Sequence, residues 1–366
     1  MDFFKSNGTD DNILNGESIT GYESLMWIER YAAAGEFELV AKLSSGLVDK
    51  LPVGTIVSHV KTYEACVVEN VEITETSKMD PTIKISGRSL VSFLENRIIG
   101  FHLPANPLGL YQIYEIPAGK LEVQIKQLID DHLDLANIVC TKETQTDADE
   151  LKVTLKRDTV YKHLIDLLKV NDLGIRTVRK NASGSFNALS TTKTLFHIHK
   201  GDNKKSKVIF SWDYGELESA TYLTSIKAYK NVAIVTGTYF DTIVYEGTST
   251  SNLQYDRRIM YVDAADIDAK MLGTNPPVFP TTTEKAAIIE KLTNRGTKAL
   301  KKQKKVIMSN VDVSRLTSHK YRTDYDIGDV VSISGNYGVI EPRRVIEFVE
   351  IEDANGEVGY PTLSVL

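Results

Sequence analysis

Residues 324–333 read "DYDIGDVVSI" and residues 51–60 read "LPVGTIVSHV". Val53-Gly54-Thr55-Ile56-Val57-Ser58 lies against Ile327-Gly328-Asp329-Val330-Val331-Ser332 when the chain is slid on itself by 274 residues. Gly54 then meets Gly328, Val57 meets Val331 and, further on, Val71 meets Val345. Glycine is suited to a tight entry from loop into strand, because it alone is free of a Cβ there. The register breaks near Met79-Asp80-Pro81, where the other copy carries a longer hairpin with an Asn355-Gly356 turn signal. One strand entry written twice predicts two related small β-barrels.

Outward from these stretches, the chain divides by pattern. Residues 1–20 are rich in Asn, Asp, Gly and Ser and read as a loose arm. Residues 21–100 hold short alternating strands, "GEFELVAKL" followed by candidates at 47–48, 53–60, 64–75 and 82–87, and form the first barrel. Residues 101–212 change period: Leu121, Ile125, Leu128 and Ile129 share one helical face, and Val160, Leu164, Leu167 and Leu168 share another. With Asp158 or Thr159 as a cap and strand runs between, this is an α/β insert. Strands return in 213–268 and 306–366, read as a split second barrel. A helical insertion over 269–305 starts at a Thr281/Glu284 capping box. The fold class expected is therefore β-rich α+β, two barrels with an α/β insert between them and a helical insertion in the second.

The 366 residues carry a net charge of −6, with 42% hydrophobic and 25% charged residues, the make-up of an ordinary globular protein. The acidic balance argues against a general nucleic-acid binder. Cys66 and Cys140 have no zinc or disulfide spacing. The sequence opens without a signal-peptide pattern and has no apolar run of membrane length. No phosphate-binding loop, GxGxxG, HExxH or GxSxG pattern occurs, and no catalytic, cofactor or metal residue is assigned. His197-x-His199 places two imidazoles on one strand face, but nothing nearby completes a metal set. Asp130-Asp131-His132 diverges around a helix. The acidic runs 147–150 and 263–269 lack a calcium loop's Gly and closing Glu. Lys298, Lys301, Lys302, Lys304 and Lys305 read as a solvated helix end. Tyr22, Trp27 and Tyr31 are candidate interface aromatics.

The order of these parts resembles a known family. An aromatic entry (Tyr22, Trp27, Arg30, Tyr31), "GEFELVAKL", a long α/β insert, a helix with "NRGTKAL", and "YRTDYDIGDVVSI" follow one another. This is similar to the tail-tip and baseplate hub proteins of tailed bacteriophages, the Tal-type hubs, related to the late-control-protein-D hubs. Its most specific piece is Tyr321 with Asp324, Tyr325, Asp326, Gly328 and Asp329; in the first copy Gly54 is the counterpart of Gly328, and Val57 that of Val331. The resemblance implies a structural, non-enzymatic homotrimer in the virion, assembled in the host cytoplasm. Three copies with two barrels each would present six similar units, so the ring would close the hexameric tail tube. Its partners would be a distal tail-tube ring, the tape-measure protein and spike or fibre proteins, with DNA only in transit. Because the sequence stops after the second barrel, the expectation is a bare hub. Glu38, Glu72 or Glu350 would then face a weakly negative bore, with the basic run outside it. The alternatives are a carbohydrate- or receptor-binding virion module, marked by an exposed aromatic cleft, and an enzyme, marked by convergent titratable groups.

Overall fold

The computed structural model describes residues 3–5, 17–59, 61–62, 64–76, 79–99, 113–132, 138–142, 149–150, 153–156, 158–180, 193–221, 225–247, 256–268, 281–303, 310–315, 317–335 and 340–365. Two compact units result, one of residues 1–219 with 311–366 and one of residues 220–310.

The first unit begins with β1 (Phe3–Lys5), β2 (Glu17–Ser18), β3 (Ser24–Arg30), β4 (Glu36–Lys42), α1 (Leu47–Lys50), β5 (Ile56–His59), β6 (Ala65–Thr76) and β7 (Met79–Ser89). Alternation sets the core: Phe37, Leu39 and Ala41 of β4 are buried, and the glutamates and Lys42 between and beside them are not. They pack with Leu25, Trp27, Ile83 and Ile85. Burial of each Leu, Ile or Phe side chain here stabilises by about 1.5–3 kcal/mol. Two expectations need correction. The N-terminal segment is not wholly a loose arm, because Phe3 and Ile19 are fully buried in this core and β1 pairs with β5. Residues 47–48 open a helical turn, not a strand, after Gly46 at φ +72°.

The insert holds β8 (Ile113–Ile116), β9 (Gly119–Lys120), α2 (Leu121–Asp130), β10 (Ile138–Lys142), β11 (Asp149–Glu150), β12 (Val153–Lys156), α3 (Val160–Val170), β13 (Gly174–Lys180) and β14 (Lys193–His199). Leu121, Ile125, Leu128 and Ile129 of α2 and Val160, Leu164 and Leu168 of α3 bury against Phe196 and Ile198 of β14, as their spacing predicts. Thr159 caps α3 by accepting from the Lys162 amide at 3.2 Å.

After β15 (Ile209–Ser211) and β16 (Leu217–Thr221), the second unit contains β17 (Val232–Thr236), β18 (Asp241–Tyr245), β19 (Ile259–Asp263), α4 (Ala265–Asp268) and α5 (Thr282–Lys301). Its three strands run in the order β18-β17-β19. The Thr281/Glu284 capping box forms as expected, and α5 buries Leu292 and Leu300. Gly296, within the quoted "NRGTKAL", lets the helix lie close: a Cβ there would fall 2.6 Å from Val244 and 2.7 Å from Val235. The chain then returns to the first unit through β20 (Asn310–Val313), β21 (Val330–Ser334), β22 (Ile340–Asp353) and β23 (Gly356–Val365). The last hairpin turns at Ala354-Asn355, one residue earlier than the Asn-Gly signal, with Asp353 opposite Gly356.

Thirteen strands of the first unit make one sheet, ordered β16-β20-β23-β22-β3-β4-β7-β6-β5-β1-β2, with β21 and β15 branching from β22. No closed barrel is found among the described residues. The sheet instead contains one five-strand order twice, β3-β4-β7-β6-β5 and β16-β20-β23-β22-β21, each set running in the same chain sequence. The two sets are joined where β3 pairs with β22. The split in the second set therefore falls between β16 and β20. Residues 220–268, expected within the split barrel, form a separate unit together with α5. Periodicity in the sequence reports strands, but not which sheet they join.

Candidate functional site

Both copies of the opening motif make one turn. Gly54 has φ +91° and Gly328 has φ +92°, a region L-residues avoid. In the first copy the Gly54 amide donates to the Val68 carbonyl at 2.8 Å, the Val68 amide returns to Thr55 at 2.8 Å, and the Thr55 amide donates to Pro52 at 3.1 Å. In the second copy the Gly328 amide donates to Val345 at 2.8 Å, Val345 returns to Asp329 at 2.9 Å, and Asp329 donates to Asp326 at 3.1 Å. Val345 is thus the counterpart of Val68, not of Val71, because the span from Gly328 to Val345 is three residues longer than that from Gly54 to Val68. A bulge follows at the same place in each, between Val68 and Asn70 and between Val345 and Glu347.

The surroundings of the two turns diverge. A Cβ on Gly54 would meet nothing within 4 Å among the described residues, whereas one on Gly328 would fall 2.5 Å from the Tyr31 ring. The Tyr31 hydroxyl lies 2.7 Å from both the Asp172 and Lys200 carbonyls, either of which can accept its proton. Arg344 Nη1 donates to the carbonyls of Gly328 at 2.7 Å and Lys200 at 3.0 Å. Buried Asp329 accepts from the amides of Asp202 and Asp326 and from Lys204 Nζ, at 2.7, 2.9 and 2.9 Å.

Beside this turn lies a buried charge cluster. Arg322 Nη2 reaches both oxygens of Glu29 at 2.7 and 2.6 Å, and Arg176 Nη1 donates to Asp326 Oδ2 at 2.8 Å. Arg322 takes φ +64°, a strained conformation that its ion pair helps to hold. Burial raises Asp326, but the Arg176 and Arg322 charges outweigh it and hold that carboxyl down at about 2. Glu29 is raised, first by burial, against the pull of Arg322. Glu64 is pushed well above the ordinary carboxylate range by burial and by Glu29, and among the described residues neither of its oxygens has a hydrogen-bond partner. The cluster joins β3, β13 of the insert and the 321–329 loop, so it locks three segments that are remote in sequence.

The residues singled out in the sequence fall as follows. Tyr325 is buried against Phe210, and Tyr321 stacks on Phe348 with centroids 3.8 Å apart. Asp324 accepts from the Lys320 amide at 2.7 Å. Val57 is core. The candidate interface aromatics Trp27 and Tyr31 are buried inside a single chain, at 1% and 4% exposure, while Tyr22 is half-buried beside Phe3 with its hydroxyl on Glu352. His197 and His199 stack on one strand face as their spacing implies, and both are buried, with His199 against the Tyr31 ring. Asp131 accepts from the Tyr114 hydroxyl, and His132, buried with its Nδ1 at the Leu128 carbonyl, packs edge-on against the same Tyr114 ring. Lys304, Lys305 and residues 147–148 lie outside the described residues. Glu29, Glu64, Arg176 and Arg322 carried no signal in the sequence, since their partners lie far along the chain.

Glu38 and Glu72 share one sheet face, with Lys84 between them: Lys84 sits opposite Glu72 in the ladder and its Nζ is 2.7 Å from Glu38. Arg30 with Glu36 and Glu347, and Arg88 with Glu69 and Glu95, continue this mixed, net-acidic face. Glu350 points to the opposite face. There it lines a cleft of about 460 Å³ with Lys61, His319, Tyr321, Arg322 and Glu357. Burial and a hydrogen bond with Glu357 push Glu350 up to about 8.

Among the described residues no helix is long and apolar enough to cross a membrane. A comparison with family models matches residues 9–362 to the Siphovirus ReqiPepy6 Gp37-like proteins. A comparison with curated proteins finds no match. The fold is shared with the 43 kDa tail protein of prophage MuSo2 from Shewanella oneidensis, at 11% identity and TM-score 0.59, covering 100% of this chain and 98% of that one. It is shared with a tail protein from Neisseria meningitidis MC58, at 10% identity and TM-score 0.57, over 100% and 97% of the two chains. Prophage tail protein gp18 from Listeria monocytogenes EGD-e matches at 10% identity and TM-score 0.55, over 99% and 94%.

Proposed function

Because the chain belongs to the Siphovirus ReqiPepy6 Gp37-like family, we propose that it is a structural, non-enzymatic hub of a phage tail tip or baseplate. The observation that carries this reading is the duplicated five-strand set with its matched Gly54 and Gly328 turns. A chain with two like units, assembled as three copies, offers six like surfaces to a sixfold tube and three unlike surfaces to whatever lies below. In this reading a ring of three closes the tail tube, with tube, tape-measure and spike or fibre proteins as partners, and each set completes a barrel on assembly. The hub is assembled in the host cytoplasm and resides in the virion. The buried charge cluster holds the insert and the two sets as one rigid body. Rigidity of this kind suits an adaptor under load.

The face bearing Glu38, Glu72 and Lys84 has the character a DNA channel needs. Its acidic side chains are partly neutralised by cross-strand cations, so it presents no lysine-rich wall that would hold DNA through counterion release. The alternative, a carbohydrate- or receptor-binding module, draws on the second unit, where Tyr261 is 67% and Tyr239 45% exposed. Antibody labelling of intact particles of a phage that encodes this chain separates the two. The hub reading expects label at the distal end of the tail tube. Label along fibres, together with glycan binding lost in Tyr261→Ala, would favour the alternative.

A further inference from the structure

The two five-strand sets do not have the same neighbours, and the difference identifies a pair of complementary edges. In the second set, residues 347–352 of β22 are covered by β3, with Glu347 opposite Arg30, Glu350 opposite Trp27 and Glu352 opposite Leu25. The turn and bulge equivalence maps Val345 onto Val68, and so residues 347–352 onto residues 70–75 of β6. Beyond its short pairing with β5, that stretch of β6 has no strand on its outer side among the described residues. The same comparison applies at the other end. β3 opens the first set and pairs outward with β22; β16 opens the second set, and among the described residues no strand pairs with its outer side.

Burial follows the pairing. On β22, Phe348 and Val349 are 7% and 6% exposed. On β6, Asn70, Glu72, Ile73, Thr74 and Glu75 are all exposed, with Ile73 at 46%. Trp27 of β3 is 1% exposed, while Glu218 and Ser219 of β16 are exposed. An uncovered, regular strand edge is a template for pairing, and proteins normally cover it, shorten it or break it.

We propose that the β16 edge of one copy adds to the 70–75 edge of β6 in a second copy, repeating between chains the junction that β3 and β22 make within a chain. The partner is thus another molecule of this protein, and the contact is main-chain strand addition. Each copy carries one donor edge and one acceptor edge, so the contact is head-to-tail and closes only as a ring. Junctions within and between chains then alternate around it. This inference rests on the ring reading above for the number of copies, and on the duplicated sets for the choice of edges.

The test is site-directed cross-linking of the full chain in solution. Ile73→Cys is combined with Glu218→Cys or with Ser219→Cys, all exposed positions, and a short bismaleimide is added. Tyr214→Cys, 80% exposed in the turn before β16, paired with Ile73→Cys is the control. The expected result is cross-links between copies for at least one of the two test pairs, at least tenfold above the control, in a series that ends at three chains. Native mass of the uncross-linked protein is read in parallel. A trimer in which neither test pair exceeds the control overturns the edge assignment and leaves the hub reading standing. A chain that remains monomeric at every concentration, with no cross-links, overturns both.

Discussion

Gly54 and Gly328 provide a matched experiment in one molecule, since their φ angles are +91° and +92° and only their surroundings differ. Substitution by alanine at Gly54 places a Cβ clear of every described residue, so the cost is that of holding an L-residue at positive φ, about 1–2 kcal/mol. At Gly328 the same strain applies, and the Cβ also falls 2.5 and 2.9 Å from two Tyr31 ring atoms. The ring has little room to yield, because its hydroxyl is fixed by the Asp172 and Lys200 carbonyls and Arg344 lies over it. Overpacking a buried site adds about 1–3 kcal/mol. Gly328→Ala should therefore lose about 2–5 kcal/mol, and Gly328→Val more. Such a loss is a large share of an ordinary domain's stability of about 5–15 kcal/mol. Urea unfolding followed by tryptophan fluorescence reads the right unit, because Trp27 and Trp212 both belong to the first one. Equal losses at Gly54 and Gly328, or an undamaged Gly328→Val protein, would refute the reasoning.

Three further outcomes are expected. Glu350 sits above its ordinary value, at about 8, so the stability it contributes is complete below about pH 4.5 and is lost as pH rises toward 8. One proton gives a slope of up to ~1.4 kcal/mol per pH unit, and Glu350→Gln should flatten it in urea titrations at pH 5 to 8; an unchanged slope would exclude Glu350 as its source. Arg322→Ala leaves Glu29 buried without its cation and should cost about 3–5 kcal/mol, checked by thermal unfolding, where a shift of under a degree would show that the pair does not hold the junction. Asp329→Ala strips the acceptor from two amides and Lys204, and should destabilise by at least ~2 kcal/mol, well beyond Asp324→Ala in the same assay.

Much of the fold was legible because local rules agreed with the final packing. The stripes Leu121/Ile125/Leu128/Ile129 and Val160/Leu164/Leu168 bury as their spacing implies, and the Thr281/Glu284 box starts α5. The Gly54/Gly328 repeat was readable because a positive-φ turn demands glycine wherever it is used. Partnering of strands was not readable. "NVAIVTGTY" and "RIMYVDA" look like any half-buried strands, and nothing in them says that they pair with each other and α5 instead of joining β20–β23. Phe3 was missed because one aromatic in a polar segment carries no period. The charge cluster was invisible because Glu29, Arg176 and Arg322 meet only through the fold. Val71 falls on Val345 in the sequence because an ungapped comparison cannot see three residues added between the glycine turn and its partner strand.

The central claim, that one chain carries two equivalent ring units, is tested most directly by two-dimensional cryo-EM class averages of the purified protein viewed down its axis. The expected result is a closed ring of three copies with six similar lobes around a central hole, and the Glu38/Glu72/Lys84 face lining that hole. A monomer, an open filament, or a ring whose narrowest part is lined mainly by Lys and Arg would contradict it.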